Sequence, residues 1–467
     1  MDTKIFAEPP LIGTPRFRAL ADRLCEAISD GRLQPGAKLP TVRDLAWHLG
    51  IGPGAVARAY RLGIDRGLLE ATVGRGTFVR AAGDQRPHYA IDHLLEPGED
   101  GTVDLRGNQA VDVGQDVDIG QAITRLIEHH DGRPPLTGYR WRDQDPEAIE
   151  TLAGWLRDRG EPAEAARLLV TSGAQAGLMA CYASLSRGGS GVILSTPTLH
   201  PGLLDGAAAL NIRMETVASD GEGFLPDALD AACTELHPDA IQVTSTLHNP
   251  TLAIMSETRR REIAAVAERH GVALVEDDVY GHLLDDRLPS FASLLPERTY
   301  YVSSMSKCVA AGIRTGLVLV PPGRTTATLR AYQALAHQTP WLVKGLAAEL
   351  VASGTAERIR QRVRAEIAER VAFAASRLGP FGARTHPAAS FIYLPLPEPW
   401  SSAEFVAAAA SFGVLVPPTS IYRIGRGGPD FTRIALGGRS DAATLLSGID
   451  RLAAVLAEGP AQTCVAT

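Results

Sequence analysis

Lys307 lies in Tyr300–Arg314, YYVSSMSKCVAAGIR, among hydroxyls and seven positions before an arginine. The β-prone run Tyr300, Tyr301, Val302 gives way to Ser303, Ser304 and Ser306, which puts the lysine at a strand end, where open α/β sheets gather their ligands. A lysine there forms a Schiff base with a carbonyl compound when its neighbours lower its pKa. Ser304, Ser306 and Arg314 suit a phosphate, because arginine offers a rigid fork of donors and hydroxyls add hydrogen bonds. By itself the motif is weak, since a lysine after serines is more often a solvated loop residue.

Three further stretches weigh against that plain reading. HGVALVEDDVYG, His270–Gly281, is a buried-strand pattern that ends in Glu276, Asp277 and Asp278, with Tyr280 three positions after Asp277. Leu247-His248-Asn249-Pro250-Thr251 again follows a β-like run, Ala240–Val243. Leu168–Gln175, LLVTSGAQ, is a strand, a small-residue turn and the start of an apolar helical pattern. Such a turn exposes amides at a helix N-terminus, which binds phosphate well.

The order T-x-G-x-Q (Thr171–Gln175), N-P (Asn249-Pro250), D-x-x-Y (Asp277–Tyr280), S-x-S-K (Ser304–Lys307) and G-x-R (Gly312–Arg314) resembles that of the fold-type I aminotransferases, which carry pyridoxal 5′-phosphate. The resemblance implies that Lys307 holds this cofactor as a Schiff base, that Asp277 pairs with the pyridine nitrogen, and that Asn249 and Tyr280 reach the ring hydroxyl. It assigns the phosphate to Gly173, Ala174, Gln175, Ser304, Ser306 and Arg314. A carboxylate at the ring nitrogen keeps that nitrogen protonated, which makes the ring an electron sink.

At 467 residues and 45% hydrophobic content the chain is long enough for two or three domains with a large core. No apolar run reaches the 18 or more residues of a membrane span, and MDTKIFAEPP lacks a charged-then-apolar signal pattern, so a cytoplasmic protein is expected. The five cysteines are scattered without a CxxC, which predicts neither a disulfide framework nor a zinc site, and no other metal site is indicated. The net charge of −7 conceals an asymmetry: residues 1–80 carry twelve Lys/Arg against eight Asp/Glu, the remainder 34 against 45. A basic head on an acidic body is expected to meet an acidic polymer.

In the head, Phe17, Leu20, Leu24 and Ile28 recur at helical spacing, and Asp30-Gly31 is a stop. Thr41-Val42-Arg43-Asp44 reads as a helix cap, with Gly50 as its end. A tight turn at Gly52-Pro53-Gly54 precedes a second short helix through Tyr60 and Leu62, and strands Leu68–Thr72 and Thr77–Val79 flank Val73–Gly76. This is a winged helix-turn-helix pattern. Gly31-Arg32-Leu33, Pro35-Gly36, Leu39–Ala46, Arg58-Ala59-Tyr60 and Gly74–Val79 resemble the GntR family. That resemblance implies DNA contacts from Arg43 and Arg58, and from Arg75, Gly76 and Thr77 in the wing. It departs at Gly52-Pro53-Gly54-Ala55, where the family is usually polar.

Residues 81–103 read as a linker. A GntR-like head of about 1–80 joined to an aminotransferase-like body, 104–467, is the architecture of MocR-type regulators. It implies an α/β fold overall: a large part, about 104–330, built on a mostly parallel seven-stranded sheet with helices on both faces, and a small C-terminal α/β subdomain, about 345–467. Its expected partners are promoter DNA, an amine or amino-acid effector and a second copy in a homodimer with swapped heads. Within the body, the family places a tyrosine near Tyr139 against the phosphate of the neighbouring subunit, although the glycine that usually follows is missing. His200 stands where the family stacks an aromatic ring on the cofactor; as a residue it reads equally as a surface loop histidine. Arg433, in Phe431–Gly437, matches the arginine that forks onto a substrate carboxylate, or else is an exposed strand residue. In the helix expected at 255–270, Ile263, Val266 and Ala267 face inward and Arg259–Arg261 outward.

Overall fold

The computed structural model describes residues 16–29, 32–34, 36–65, 68–72, 76–79, 101–130, 132, 136–139, 145–186, 191–425, 428–438 and 441–460. The chain divides into two compact units between residues 88 and 89.

The first unit is helix α1 (Arg16–Ser29), α2 (Val42–Leu49), α3 (Pro53–Asp65) and the strands β1 (Leu69–Thr72) and β2 (Gly76–Val79). The Thr41 hydroxyl accepts from the Asp44 amide at 3.2 Å and so caps α2, and Gly50, at φ +59°, ends it. The expected Gly52-Pro53-Gly54 turn is instead the start of α3. Pro53 occupies its first position, where a fixed φ favours the helix and the missing N–H is not needed. Strands β1 and β2 pair antiparallel from Leu69↔Val79 to Thr72↔Gly76, forming the wing. Leu20, Leu24, Leu45, Val56, Leu69 and Val79 are buried together, and the Tyr60 hydroxyl donates to the Pro40 carbonyl at 2.8 Å.

The second unit begins with β3 (Val103–Asp104), so the expected linker runs into a strand at its last residue; residues 81–100 lie outside the described ones. Helices α4 (Gln115–Glu128) and α5 (Pro146–Arg157) lead to β4 (Leu168–Ser172), α6 (Ala174–Leu185), β5 (Val192–Ser195), α7 (Pro201–Ala209) and β6 (Arg213–Thr216). A two-stranded ribbon, β7 (Ser219–Asp220) with β8 (Gly223–Phe224), precedes α8 (Pro226–Leu236). Then come β9 (Ala240–Val243), α9 (Glu257–His270), β10 (Ala273–Asp277), α10 (Phe291–Leu294), β11 (Thr299–Ser304) and β12 (Thr315–Leu319). Three helices follow: α11 (Thr325–Ala336), α12 (Trp341–Ala352) and α13 (Thr355–Leu378). The C-terminal part adds β13 (Phe391–Pro395), α14 (Ser402–Ser411), β14 (Val414–Leu415), β15 (Phe431–Ala435) and α15 (Ala442–Glu458).

Seven strands form one sheet in the order β4-β12-β11-β10-β9-β5-β6, and β12 alone runs against the rest. Its faces bury different partners, as the period of two requires. Leu168, Val170, Tyr301, Leu317 and Leu319 pack with α5, α12 and α13, whereas Leu169, Tyr300, Val302 and Val318 pack with α6 and α7. The mostly parallel sheet with helices on both faces is thus present, and β13 with β15 forms a separate antiparallel pair. One surface arginine moves inside. Arg260 on α9 is 2% exposed, because its guanidinium satisfies the carbonyls of Met255, Pro289 and Ser245, whereas Arg261 stays exposed beside Glu257.

Candidate active site

Strand direction explains why distant motifs meet. Asp277, Ser304 and Ser172 end β10, β11 and β4, while Arg314 precedes β12, whose reversed course puts its start at that same edge, Thr315 opposite Ser172 and Gly316 opposite Ser304. His200 and Asn249 follow β5 and β9 at the edge as well.

The Lys307 amine donates to the main-chain carbonyl of Asn108 at 2.5 Å and lies 5.8 Å from the centre of the Tyr280 ring. Burial, with the charge of Arg433 second, pulls its pKa down to about 8, against the opposing pull of Asp277. The amine is therefore a far better nucleophile near neutral pH than an ordinary lysine. Asp277 is buried, which pushes its carboxyl up to about 7, and its Oδ1 has no hydrogen-bond partner. Its neighbours in the acidic run are tied elsewhere. Glu276 accepts from the Ser245 hydroxyl at 2.6 Å and the Phe291 amide at 2.9 Å, and Asp278 accepts from Tyr301 at 2.7 Å and from Arg287.

Gly173 has φ +89°, which favours glycine, and a Cβ there would stand 2.7 Å from an Arg314 guanidinium nitrogen and press on it. It leads into α6, whose first residues Ala174 and Gln175 leave amides without helical acceptors. The helix terminus, the guanidinium and the buried hydroxyls of Ser304 and Ser306 are the kinds of group that can hold an anion. The Ser306 amide donates to the Ser304 hydroxyl at 3.3 Å, and the Gln175 side chain is spent on the Gly202 carbonyl at 3.1 Å.

His200 is the cap of α7: its Nδ1 accepts from the Gly202 amide at 3.1 Å. Burial, then the charges of Lys307 and Arg433, pull its pKa down to about 3, so the ring is neutral and its second nitrogen carries the proton. The side chain is half-buried, between the two alternatives. Asn249 donates to the Tyr280 hydroxyl at 3.4 Å, and its side-chain oxygen has no partner. Arg433, on β15 opposite Tyr393, is 2% exposed rather than an exposed strand residue. It donates to the Arg106 carbonyl, lies 5.6 Å over the Tyr422 ring and leaves its Nε without a partner. Tyr139 is not brought to this cluster within the chain: it is 69% exposed and meets His337 edge-on at 4.8 Å.

Asn108 escaped the sequence reading, since a main-chain carbonyl under a lysine leaves no motif. Cys308, beside Lys307, is buried packing with its thiol pushed up to about 12 by desolvation. Among the described residues no group of His, Cys, Asp and Glu could hold a metal ion, and no helix is long and apolar enough to cross a membrane.

In the head, Arg43 is exposed on α2, and Arg58 on α3 is half-buried with its guanidinium 5.8 Å over the Phe17 ring. Gly76, at φ +111°, and Thr77 open β2, while Arg75 lies outside the described residues.

Residues 102–452 match the family Aminotransferase class I and II, and residues 17–79 match the Bacterial regulatory proteins, gntR family. The uncharacterized HTH-type transcriptional regulator YdeF of Bacillus subtilis is 26% identical over 89% of this chain and 88% of its own. The HTH-type transcriptional regulator TauR of Rhodobacter capsulatus is 28% identical over 69% and 70%, and the 2-aminoadipate transaminase of Thermus thermophilus 27% over 65% and 78%. Among solved structures, α-aminoadipate aminotransferase LysN of Thermus thermophilus, complexed with N-(5′-phosphopyridoxyl)-L-leucine, superposes with a TM-score of 0.68 at 23% identity, covering 79% of this chain and 94% of its own.

Proposed function

Because the chain belongs to the aminotransferase class I and II family and carries a gntR-family domain ahead of it, we propose that it is a transcriptional regulator of the MocR type. It binds promoter DNA through the winged head and senses pyridoxal 5′-phosphate with an amino compound in the body. The observation that carries this reading is one chain in which a winged head precedes a site where Lys307, Asp277, Arg314 and Arg433 converge. The regulators named among its relatives support it.

Aminotransferases of this fold depend on pyridoxal 5′-phosphate, and the residues present fit that group. Asp277 offers a buried, unpaired carboxylate oxygen to the ring nitrogen, and the Ala174 amide, the Ser304 and Ser306 hydroxyls and Arg314 offer donors to the phosphate, whereas the Gly173 amide is spent on the Thr171 carbonyl and Gly173 would contribute only close approach. Asn249 and Tyr280, which meet at 3.4 Å, would hold the ring hydroxyl, and neutral His200 would offer a flat surface without a competing charge. The cofactor, when bound, supplies a carbonyl carbon for Lys307 and an electron sink. Lys307, half deprotonated near pH 8, would need no separate base to act as the nucleophile. Arg433 holds an incoming carboxylate by bidentate pairing, and its burial excludes the water that would weaken it. Tyr139 serves the partner's site in a homodimer with swapped heads, and the protein is cytoplasmic. The head spans about 1–80, the linker 81–103, and the body 104–467, with a large part to about 330 and a small part from about 345.

An amine alters DNA affinity only through its differential affinity for two arrangements of the protein. The test is DNA binding with and without cofactor and amines, together with the visible spectrum. A second reading, a working aminotransferase with a vestigial head, is favoured by the complete set of Lys307, Asp277 and Arg433 and by the transaminase relative. Turnover of amino donor to keto acid without any DNA binding would establish it instead.

A further inference from the structure

The segment 104–111 is pinned on both sides of the site. The Leu105 amide donates to the Leu415 carbonyl at 2.9 Å, the Ala435 amide to the Leu105 carbonyl at 2.8 Å, and the Gly438 amide to the Ala110 carbonyl at 3.3 Å. It runs so close to the end of β15 that a Cβ on Gly437 would lie 1.8 Å from the Gln109 carbonyl oxygen. Between these anchors, Asn108 makes two contacts at once. Its main-chain carbonyl accepts from the Lys307 amine at 2.5 Å, and its side-chain amide donates to the Tyr280 hydroxyl at 2.9 Å. Asn249 donates to that same hydroxyl at 3.4 Å.

We propose that Asn108 is a positioning residue, which holds the Lys307 amine and the Tyr280 hydroxyl from one pinned segment and commits the tyrosine to donating its proton to the bound cofactor. A phenol oxygen that already accepts two amide N–H groups has its lone pairs occupied, so the hydroxyl acts as a donor. Accepting those bonds also strengthens it as a donor. The phenol stays protonated, since burial raises its pKa well above the ordinary tyrosine value. A donor at the cofactor's ring oxygen stabilises the anionic form of that oxygen and so favours loss of the proton shared with the Lys307 nitrogen. The proposal rests on the cofactor reading above. Besides Lys307, the groups that bear on Tyr280 are Arg433, Asp277 and Tyr422, and the variants at position 108 leave all of them in place.

The experiment is a pH titration of the visible band of the full chain loaded with pyridoxal 5′-phosphate. Asn108→Ala should raise the midpoint by about half a pH unit, roughly threefold in proton affinity, the size of a strengthened hydrogen bond. Asn108→Asp is nearly isosteric and keeps the test alive should the alanine variant not fold. It accepts the tyrosine's proton instead of donating, adds a negative charge, and should raise the midpoint further. In a Tyr280→Phe background the Asn108→Ala substitution should produce no additional shift, as coupling through the hydroxyl requires. An unchanged midpoint in a folded Asn108 variant, or the same shift with and without the Tyr280 hydroxyl, would overturn the proposal while leaving the cofactor reading intact. A wild type with no visible band, or a band that survives Lys307→Ala, overturns the cofactor reading itself and this proposal with it.

Discussion

In the head, Arg43 is exposed on α2 and the wing strand opens at Gly76 and Thr77, whereas in the body Asp277 and Arg433 are buried and Lys307 and Arg433 are each held by a main-chain carbonyl. The two regions therefore answer to different variables. Exposed charges meeting a polyanion act additively and are screened by salt. Buried titratable groups act through desolvation and a few close partners, so a single substitution removes a function outright and pH is the controlling variable.

The largest contrast is expected at Lys307. Lys307→Ala should abolish the covalent visible band while circular dichroism and melting remain those of a folded protein. A band of wild-type intensity in the variant would remove Lys307 from its role. Next is Arg433→Ala, which should weaken binding of a carboxylate-bearing amine by about 2 kcal/mol, the scale of a charged hydrogen bond, while sparing amines without the carboxylate. Titration calorimetry against a matched pair of such amines checks it. The pH dependence follows from the amine's depressed pKa. The free base attacks, so the rate of cofactor capture should rise with pH and level off above about 8, where an unperturbed lysine would keep rising to about 10.4. Stopped-flow spectra read that midpoint directly.

On the head, Arg43→Ala should lower DNA affinity by about 1 kcal/mol and reduce the salt slope by about one. Retitration at several salt concentrations distinguishes that from a fold defect. The smallest effect is structural: Tyr60→Phe removes the hydrogen bond to the Pro40 carbonyl and should cost the head about 1 kcal/mol in denaturant unfolding, with the body's visible spectrum unchanged.

What the sequence made legible follows the same division. Residues fixed by a strand end or a tight turn, such as Asp277, Lys307 and Gly173, carry their position in local pattern, so they could be named before the sheet was seen. The reversed direction of β12 could not, although it is what brings Arg314 to the edge beside Gly173. Contacts made by main chain were silent as well: nothing in Asp104–Gln109 marks the carbonyls of Arg106 and Asn108 as acceptors for Arg433 and Lys307. Arg260 looked like part of a solvated run because periodicity reports a helix face and not the carbonyls waiting beneath it. Pro53 looked like a turn residue because proline serves a turn and a helix start equally well.

The measurement that bears most directly on the central claim is a footprint of the full, cofactor-loaded chain on the DNA flanking its own gene, at one fixed salt concentration. It is recorded with and without a carboxylate-bearing amine shown to bind, and with Arg433→Ala alongside. A ligand-sensing regulator gives a footprint whose extent or half-saturation changes with the amine in the wild type and stays constant in the variant. Footprints that are identical in all four conditions, or absent while the amine is converted to its keto acid, would contradict it.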